Sequence, residues 1–220
     1  MVEKDFWLAS NSPRRREILG WLDWKIQTAP ANIDESRREG ETARDYVMRV
    51  AFEKATSPIP QMQNGGVVIA ADTIVVLDDE VLGKPVDAHD AFVMLAKLRG
   101  NTHQVLTAIA IRTADYIVQD LCCSPVIMRD YLDEEMDAYI ASGDPMDKAG
   151  AYAIQNNAFH PASGFNGCFA SVMGMPLCHL ERTLKKCGII EPDQFGAVCQ
   201  NHLKYTCPIT DRVMAGEDIG

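Results

Sequence analysis

The sequence contains no apolar run approaching the roughly 20 residues of a membrane-spanning helix. Its charged opening, residues 1–5, is followed by only a few apolar positions, too few for the core of a signal peptide. The expectation is a cytoplasmic protein with no membrane partner. Paired cysteines are missing as well, since seven is an odd number with no spacing that makes a disulfide framework, which fits a reducing compartment. No Cys-x-x-Cys knuckle accompanies Cys187, Cys199, His202 and Cys207, so local packing is favoured over zinc there, and the adjacent Cys122 and Cys123 read as core residues. Basic charge is short, the formal net charge being −10. Binding a nucleic-acid polymer needs a basic stripe that releases counterions, so no such partner is expected. A small polyanion needs only a local pocket of positive groups. The Gly-x-x-x-x-Gly-Lys-Ser/Thr loop is absent, which argues against a P-loop kinase or ATPase.

What is present is enough apolar material, 47% of 220 residues, for one large domain or two lobes around a sizeable core. The stretch Val67–Leu77 has buried-strand composition with a carboxylate and a hydroxyl, Asp72 and Thr73, set in its middle. An ionised carboxylate buried there must pair with a cation or hold a metal. The alternative is a break between two strands, where Asp72 and Thr73 only cap a turn. Arg14, Arg15, Lys54 and Lys84 all fall at predicted element ends or in loops, from which they can hold a polyanion and its metal against Asp72.

Strand and helix patterns alternate along the chain, which supports an α/β class. Residues 6–9 form a short strand that runs into Ser10-Asn11-Ser12-Pro13, where Ser12 is a good N-cap and Pro13 a favoured first helical residue. A strand, polar loop and helix start make an anion site, unless Arg14, Arg15 and Arg16 are only a solvated face. A second strand is expected at residues 25–29. Thr42 caps a helix with Ala43, Tyr46, Val47, Val50, Ala51 and Ala55 on one face, and Lys54 at its far end complements the helix dipole or reaches the site. Chain breaks follow at residues 57–60 and 64–66. After the central strand come a return strand ending at Lys84, an Asp87-capped helix closed by Gly100, and a hairpin of residues 103–111 and 116–128 in which His103 is a polar strand residue. Residues 133–142 read as a helix, 150–155 as a strand ending at Gln155, 169–173 as a last strand, and 176–188 as a helix. The pattern then weakens.

Several motifs occur in one order: Leu8-Ala9-Ser10-x-Ser12-Pro13-Arg14-Arg15, Glu35, Lys54-Ala55, Ala71-Asp72-Thr73, Gly83-Lys84-Pro85, Asp147-Lys148-Ala149-Gly150-x-Tyr152-x-Ile154-Gln155 and Gly174-x-Pro176-Leu177. Over residues 6 to 188 the chain resembles the Maf family of nucleoside triphosphate pyrophosphatases. The resemblance implies cleavage between the α- and β-phosphates of a nucleotide, with a divalent metal cation, Mg²⁺ or Mn²⁺, as cofactor. By that resemblance Asp72 is the catalytic carboxylate, Glu35 and Asp72 are the metal ligands, and Ser10, Arg14, Arg15, Lys54 and Lys84 bind phosphates. Arg14, Thr73 and Gln155 match positions marking the subgroup that acts on dTTP and UTP, with Gln155 suited to the imide edge of the base. Asn156-Asn157 and residues 163–168 depart from the family pattern. The implied architecture is a mixed twisted β-sheet flanked by helices, two lobes with a central cleft, Maf/ITPase-like. Residues 1–190 would form that domain and 191–220 an extension of unknown role. A homodimer is implied too, and the rival function is a nucleotide-binding regulator of cell division and septum formation without turnover.

Overall fold

The computed structural model describes residues 5–62, 65–190 and 194–219. The expected break at Asn64 and the start of the extension at residues 191–193 lie outside the described residues. In chain order the elements are β1 Phe6–Leu8, α1 Pro13–Gly20, β2 Ile26–Thr28, α2 Ala43–Thr56, β3 Val67–Leu77, β4 Glu80–Leu82, α3 Ala88–Leu98, β5 Thr102–Arg112 and β6 Ile117–Met128. They continue with α4 Asp133–Ala141, two 3-10 turns at Asp144–Asp147 and Ala149–Ala151, β7 Ala162–Phe165, α5 Phe169–Met173, α6 Leu177–Lys186, α7 Phe195–Leu203 and α8 Thr210–Met214. The strands form one mixed seven-stranded sheet in the order β2-β1-β3-β5-β6-β7, with β4 also pairing β3.

The long strands are held by alternation. On β3, Val67, Ile69 and Ala71 face one side of the sheet, where Ile18, Leu19, Met175, Leu177, Leu180 and Phe195 pack on them. Val68, Ala70 and Ile74 face the other side and meet Val47, Ala51 and Ala55 of α2. A period of two residues produces this division. A third cluster gathers Val75, Leu82, Leu95, Leu98, Met136, Tyr139 and Phe159 under α3 and α4, at the end of the sheet carrying β4. Helix starts follow local chemistry: Ser12 Oγ accepts from Arg15 N, Thr42 Oγ1 from Asp45 N at 3.1 Å, and Asp87 Oδ1 from Asp90 N at 2.8 Å.

Two expected strands are absent as strands. Residues 150–155 do not pair, because Gly150 (φ 68°) and Ala151 (φ 57°) take the left-handed conformation and turn the chain through a 3-10 segment. Gly150 is required there twice over. Besides its positive φ, a Cβ at that position would stand 3.0 Å from the Val75 methyls of β3. Residues 169–173 form α5 instead, capped by Cys168 and ended by Gly174 at φ 108°. A short apolar run carries no period by which to separate the two structures. The last strand is β7, antiparallel to β6 with a register shift between Ile127 and Met128. Beyond residue 193, α7 and α8 pack on α6: Phe195 is buried against the edge of Trp24, and Trp21 stacks on His202 at 5.0 Å.

Candidate active site

One edge of β3 is paired twice with a gap between. β1 runs beside Val67, Val68 and Ile69, and β4 beside Val75, Val76 and Leu77. Residues 70–74 have no strand on that side among the described residues, and Asp72 and Thr73 sit in the gap. β3 is continuous through both, so neither caps a turn. Being adjacent, the two side chains leave on opposite faces. Asp72 turns toward Lys54 of α2, and Thr73 toward Arg15 of α1.

The chain after β1 crosses this gap and opens a cleft of about 520 Å³, within the size range of small-molecule sites. Ser10, Arg14, Arg15, Glu35, Lys54, Asp72, Thr73, Lys84 and Gln155 all line it. These nine residues come from six separate stretches of sequence, so their meeting is a product of the fold.

On the α2 side the carboxylates converge. Lys54 Nζ donates to Asp72 Oδ1 and to Glu35 Oε2, both at 2.8 Å. Lys54 is buried, as is Asp72, whereas the Glu35 side chain is half exposed. The position of Lys54 at the end of α2 therefore serves the cleft through its side chain. The loop bearing Glu35 is tied to α2 by Tyr46 OH, which donates to the Glu35 carbonyl at 2.7 Å, and by Arg49 Nη2, which donates to the Ser36 carbonyl at 2.8 Å. Burial, then the charges of Asp72 and Glu35, push the Tyr46 hydroxyl above its ordinary pKa. Tyr46 therefore stays a neutral donor to the loop.

On the α1 side a buried guanidinium organises the floor. Arg15 Nη1 donates to Ser10 Oγ at 3.1 Å, Nε to the Gly174 carbonyl at 3.0 Å and Nη2 to Thr73 Oγ1 at 3.2 Å. Three of its five N–H donors are thus held by protein. Burial pulls the Arg15 pKa down, opposed by Asp72 and Glu35. From Thr73 the chain of bonds goes on: Thr73 Oγ1 lies 3.0 Å from Thr107 Oγ1, which donates to the Ser171 carbonyl at 2.8 Å. Gly174 closes against this group, for a Cβ there would stand 3.3 Å from Thr73 Oγ1.

The remaining cations reach the mouth. Arg14 Nη1 spans the cleft to Asp147 Oδ2 at 3.0 Å, and Lys148 Nζ donates to Asp147 Oδ1 at 2.6 Å. Burial alone would raise the Asp147 pKa, but Lys148 and Arg14 hold it below the ordinary carboxylate value. Lys84 is exposed and has no ion-pair partner among the described residues. Gln155 likewise has no side-chain hydrogen bond among them, so its amide is available to a ligand. Asn156, a departure from the family pattern, instead braces the following turn: its Nδ2 donates to Asp144 Oδ2 at 3.1 Å and its Oδ1 accepts from Phe159 N at 2.8 Å.

Among the described residues no group of three or more His, Cys, Asp or Glu side chains is placed to hold a metal ion. The donor set nevertheless fits Mg²⁺ or Mn²⁺ in the way nucleotide enzymes use them. Such ions take one or two carboxylates and complete their shell with water and substrate phosphates. Asp72 and Glu35 supply two hard oxygens that already share one cation, Lys54.

A family model described as Maf-like protein matches residues 5–187. The chain belongs to the Maf family. It is 45% identical over 182 residues to a Methylococcus capsulatus protein named dTTP/UTP pyrophosphatase, a match covering 83% of this chain and 90% of that one. Proteins of the same name from Photorhabdus laumondii and Escherichia coli are 41% and 44% identical, over 83% and 78% of this chain and 94% and 87% of theirs. Among solved structures, a Mycobacterium abscessus nucleoside-triphosphatase / dITP/XTP pyrophosphatase aligns with a TM-score of 0.37 at 16% identity, covering 58% of this chain and 75% of that one. At that score the likeness adds nothing to the Maf assignment. Within this Maf chain, reading the sequence alone passes over Tyr46, Thr107 and the Asp147 contact. Thr107 carries one usable signal, a hydroxyl inside the otherwise apolar end of β5, the same signal that singles out Thr73.

Proposed function

We propose that this Maf protein is a nucleoside triphosphate pyrophosphatase that hydrolyses dTTP and UTP to the monophosphate and pyrophosphate, with Mg²⁺ or Mn²⁺ as cofactor. One observation carries the reading: a single cleft has two carboxylates, Asp72 and Glu35, on one side and Arg14, Arg15 and Lys84 around the rest of its wall. The names borne by the relatives support the substrate class.

Asp72 and Glu35 would hold the divalent ion, which when bound neutralises phosphate charge and makes a coordinated water more acidic. Arg14, Lys84 and the amides at the Ser12 start of α1 bind phosphate oxygens. Arg15, braced on Ser10, Thr73 and Gly174, keeps a fixed positive charge beneath them. Preorganised charge of this kind favours a transition state more negative at phosphorus than the ground state. Asp72 Oδ2 has no hydrogen bond among the described residues, while Oδ1 is held by Lys54. That free oxygen accepts the proton of the attacking water. Gln155 presents one donor and one acceptor to the imide edge of uracil or thymine.

The test is pyrophosphate release from dTTP, UTP and purine nucleotides with each ion in turn. Asp72→Asn is expected to remain folded and to lose on the order of a hundredfold or more in kcat; equal turnover would end the role given to Asp72. Tight nucleotide binding by calorimetry with no product formed would transfer the chain to the regulatory reading. The proposed setting is a cytoplasmic homodimer, which light scattering on the purified chain checks.

A further inference from the structure

Gln155 lines the cleft, yet it makes no hydrogen bond of its own among the described residues, by main chain or side chain. Its place is set by its neighbours. Ile154 and Gln155 are the central residues of a tight turn, which Asn156 N closes by donating to the Ala153 carbonyl at 3.0 Å. Both outer residues of that turn are tied to one carboxylate oxygen, Asp144 Oδ2. Asn156 Nδ2 donates to it at 3.1 Å. Tyr139 OH donates to it at 2.7 Å and accepts from Ala153 N at 3.0 Å.

The direction of each bond is fixed by its partners. Phe159 N can only donate, so Asn156 Oδ1 faces it at 2.8 Å and Nδ2 is left to face Asp144. Ala153 N can only donate, so the Tyr139 hydroxyl gives its one proton to Asp144. Asp144 is anchored in turn. It follows Gly143 at φ 76°, its N donates to Ser142 Oγ at 3.2 Å, and Lys148 Nζ stands 3.1 Å from its Oδ1. The buried Tyr139 ring stacks on Phe159 at 4.3 Å. Burial would raise the Asp144 pKa, but the bonds from Tyr139, Lys148 and Asn156 hold it below the ordinary carboxylate value.

We propose that Tyr139, Asp144 and Asn156 are positioning residues for base recognition, clamping both ends of the turn that carries Gln155 and so fixing where its amide meets the imide edge of the pyrimidine. The inference rests on the pyrimidine-nucleotide reading given above. A recognition group displaced by about 1 Å leaves hydrogen-bonding geometry, which is why such groups need braced supports. None of the clamp's bonds reaches Ser10, Arg14, Arg15 or Lys84. Loosening it therefore weakens the reading of the base and spares the grip on phosphate.

The test compares UTP with 3-methyl-UTP, in which a methyl group replaces the imide proton. In the parent, kcat/KM is expected to favour UTP by about tenfold or more, because a site built to hydrogen-bond a group rejects the analogue that lacks it. Gln155→Ala is expected to abolish most of that preference. Tyr139→Phe keeps the ring on Phe159 and removes the hydroxyl, whereas Asn156→Asp keeps the bond to Phe159 N and sets a like charge against Asp144. Each is expected to lower the preference by about three- to tenfold, with kcat/KM for 3-methyl-UTP within about twofold of the parent. Added to Gln155→Ala, neither should lower it further. No preference in the parent, an unchanged preference in both variants, or an equal fall for both nucleotides would each overturn the clamp, the last marking a network that only supports the fold. If the parent hydrolyses neither nucleotide, the pyrophosphatase reading fails, and the dissociation constants of UMP and 3-methyl-UMP decide the clamp. A preference for UMP that falls in both variants supports it; a preference that both variants keep, or no binding by the parent, overturns it.

Discussion

The ammonium of Lys54 stands 2.8 Å from Asp72 Oδ1, with both side chains more than nine-tenths buried. A buried pair of this kind is costly to break from one side, because the survivor is left charged and unsolvated. Lys54→Met is therefore expected to lower the unfolding free energy by about 3 kcal/mol. The double variant Lys54→Met/Asp72→Asn, which removes the stranded charge, is expected to recover most of that loss but no activity. Urea unfolding of the four proteins in the cycle isolates the pair; additive effects would mean the two side chains do not depend on each other.

Thr107 touches no point of the cleft surface, yet it joins Thr73 to α5. Thr107→Val removes the hydroxyl that meets Thr73 Oγ1 and donates to the Ser171 carbonyl. The two lost hydrogen bonds are expected to reduce stability by about 2 kcal/mol. Thr73 would also lose the partner that orients it toward Arg15, so kcat/KM for UTP is expected to fall by about tenfold. Thr107→Ser keeps the hydroxyl and should restore the activity. If Thr107→Val loses stability alone and keeps its kinetics, Thr107 has no part in placing the cleft floor.

His103 gives the clearest pH dependence. It is buried on β5, its Nε2 lies 2.8 Å from Tyr152 OH, and burial lowers its pKa from 6.5 to about 4. Between those values the unfolded chain binds a proton that the folded chain does not, so stability falls as pH falls from about 6.5 toward 4. The whole window corresponds to about 3 kcal/mol. Denaturant unfolding at several pH values should show this slope in the parent and a flatter one in His103→Gln. Identical slopes would place the acid sensitivity elsewhere.

What the sequence reveals and what it hides divides along a physical line. Caps at Ser12, Thr42 and Asp87, and the alternation through β3, β5 and β6, are set by residues within a few positions of one another, and the structure follows them. Three consecutive arginines cannot be told apart by composition. The turn of α1 sends Arg15 into the core, Arg14 into the cleft and Arg16 to solvent. Residues 150–155 look like a strand, but the close approach of Gly150 to Val75 comes from tertiary packing. β7 contains Ser163 and Gly164, weak strand formers that take their conformation from the edge of β6. For the cleft, residue types were legible, whereas the sharing of Lys54 by two carboxylates and the closure of Arg14 on Asp147 depend on chain segments far apart in sequence.

The Arg14 contact with Asp147 bears on how a triphosphate gains its binding energy. The Asp147 side chain is about half exposed and that of Arg14 is partly so, and an ion pair in such a setting is worth at most about 1 kcal/mol. Asp147→Asn should accordingly leave stability almost unchanged. In the parent, the Asp147 carboxylate competes with phosphate oxygens for Arg14 and Lys148, both of which it contacts within 3.0 Å. Removing its charge is expected to lower KM for UTP by about two- to fivefold, the size of one exposed pair, with kcat changed much less. Arg14→Ala removes the competed-for cation itself and should raise KM in both backgrounds, erasing the advantage of Asp147→Asn. A rise in KM from Asp147→Asn would show instead that the carboxylate steadies Arg14 for the substrate, and the two variants would then weaken binding together.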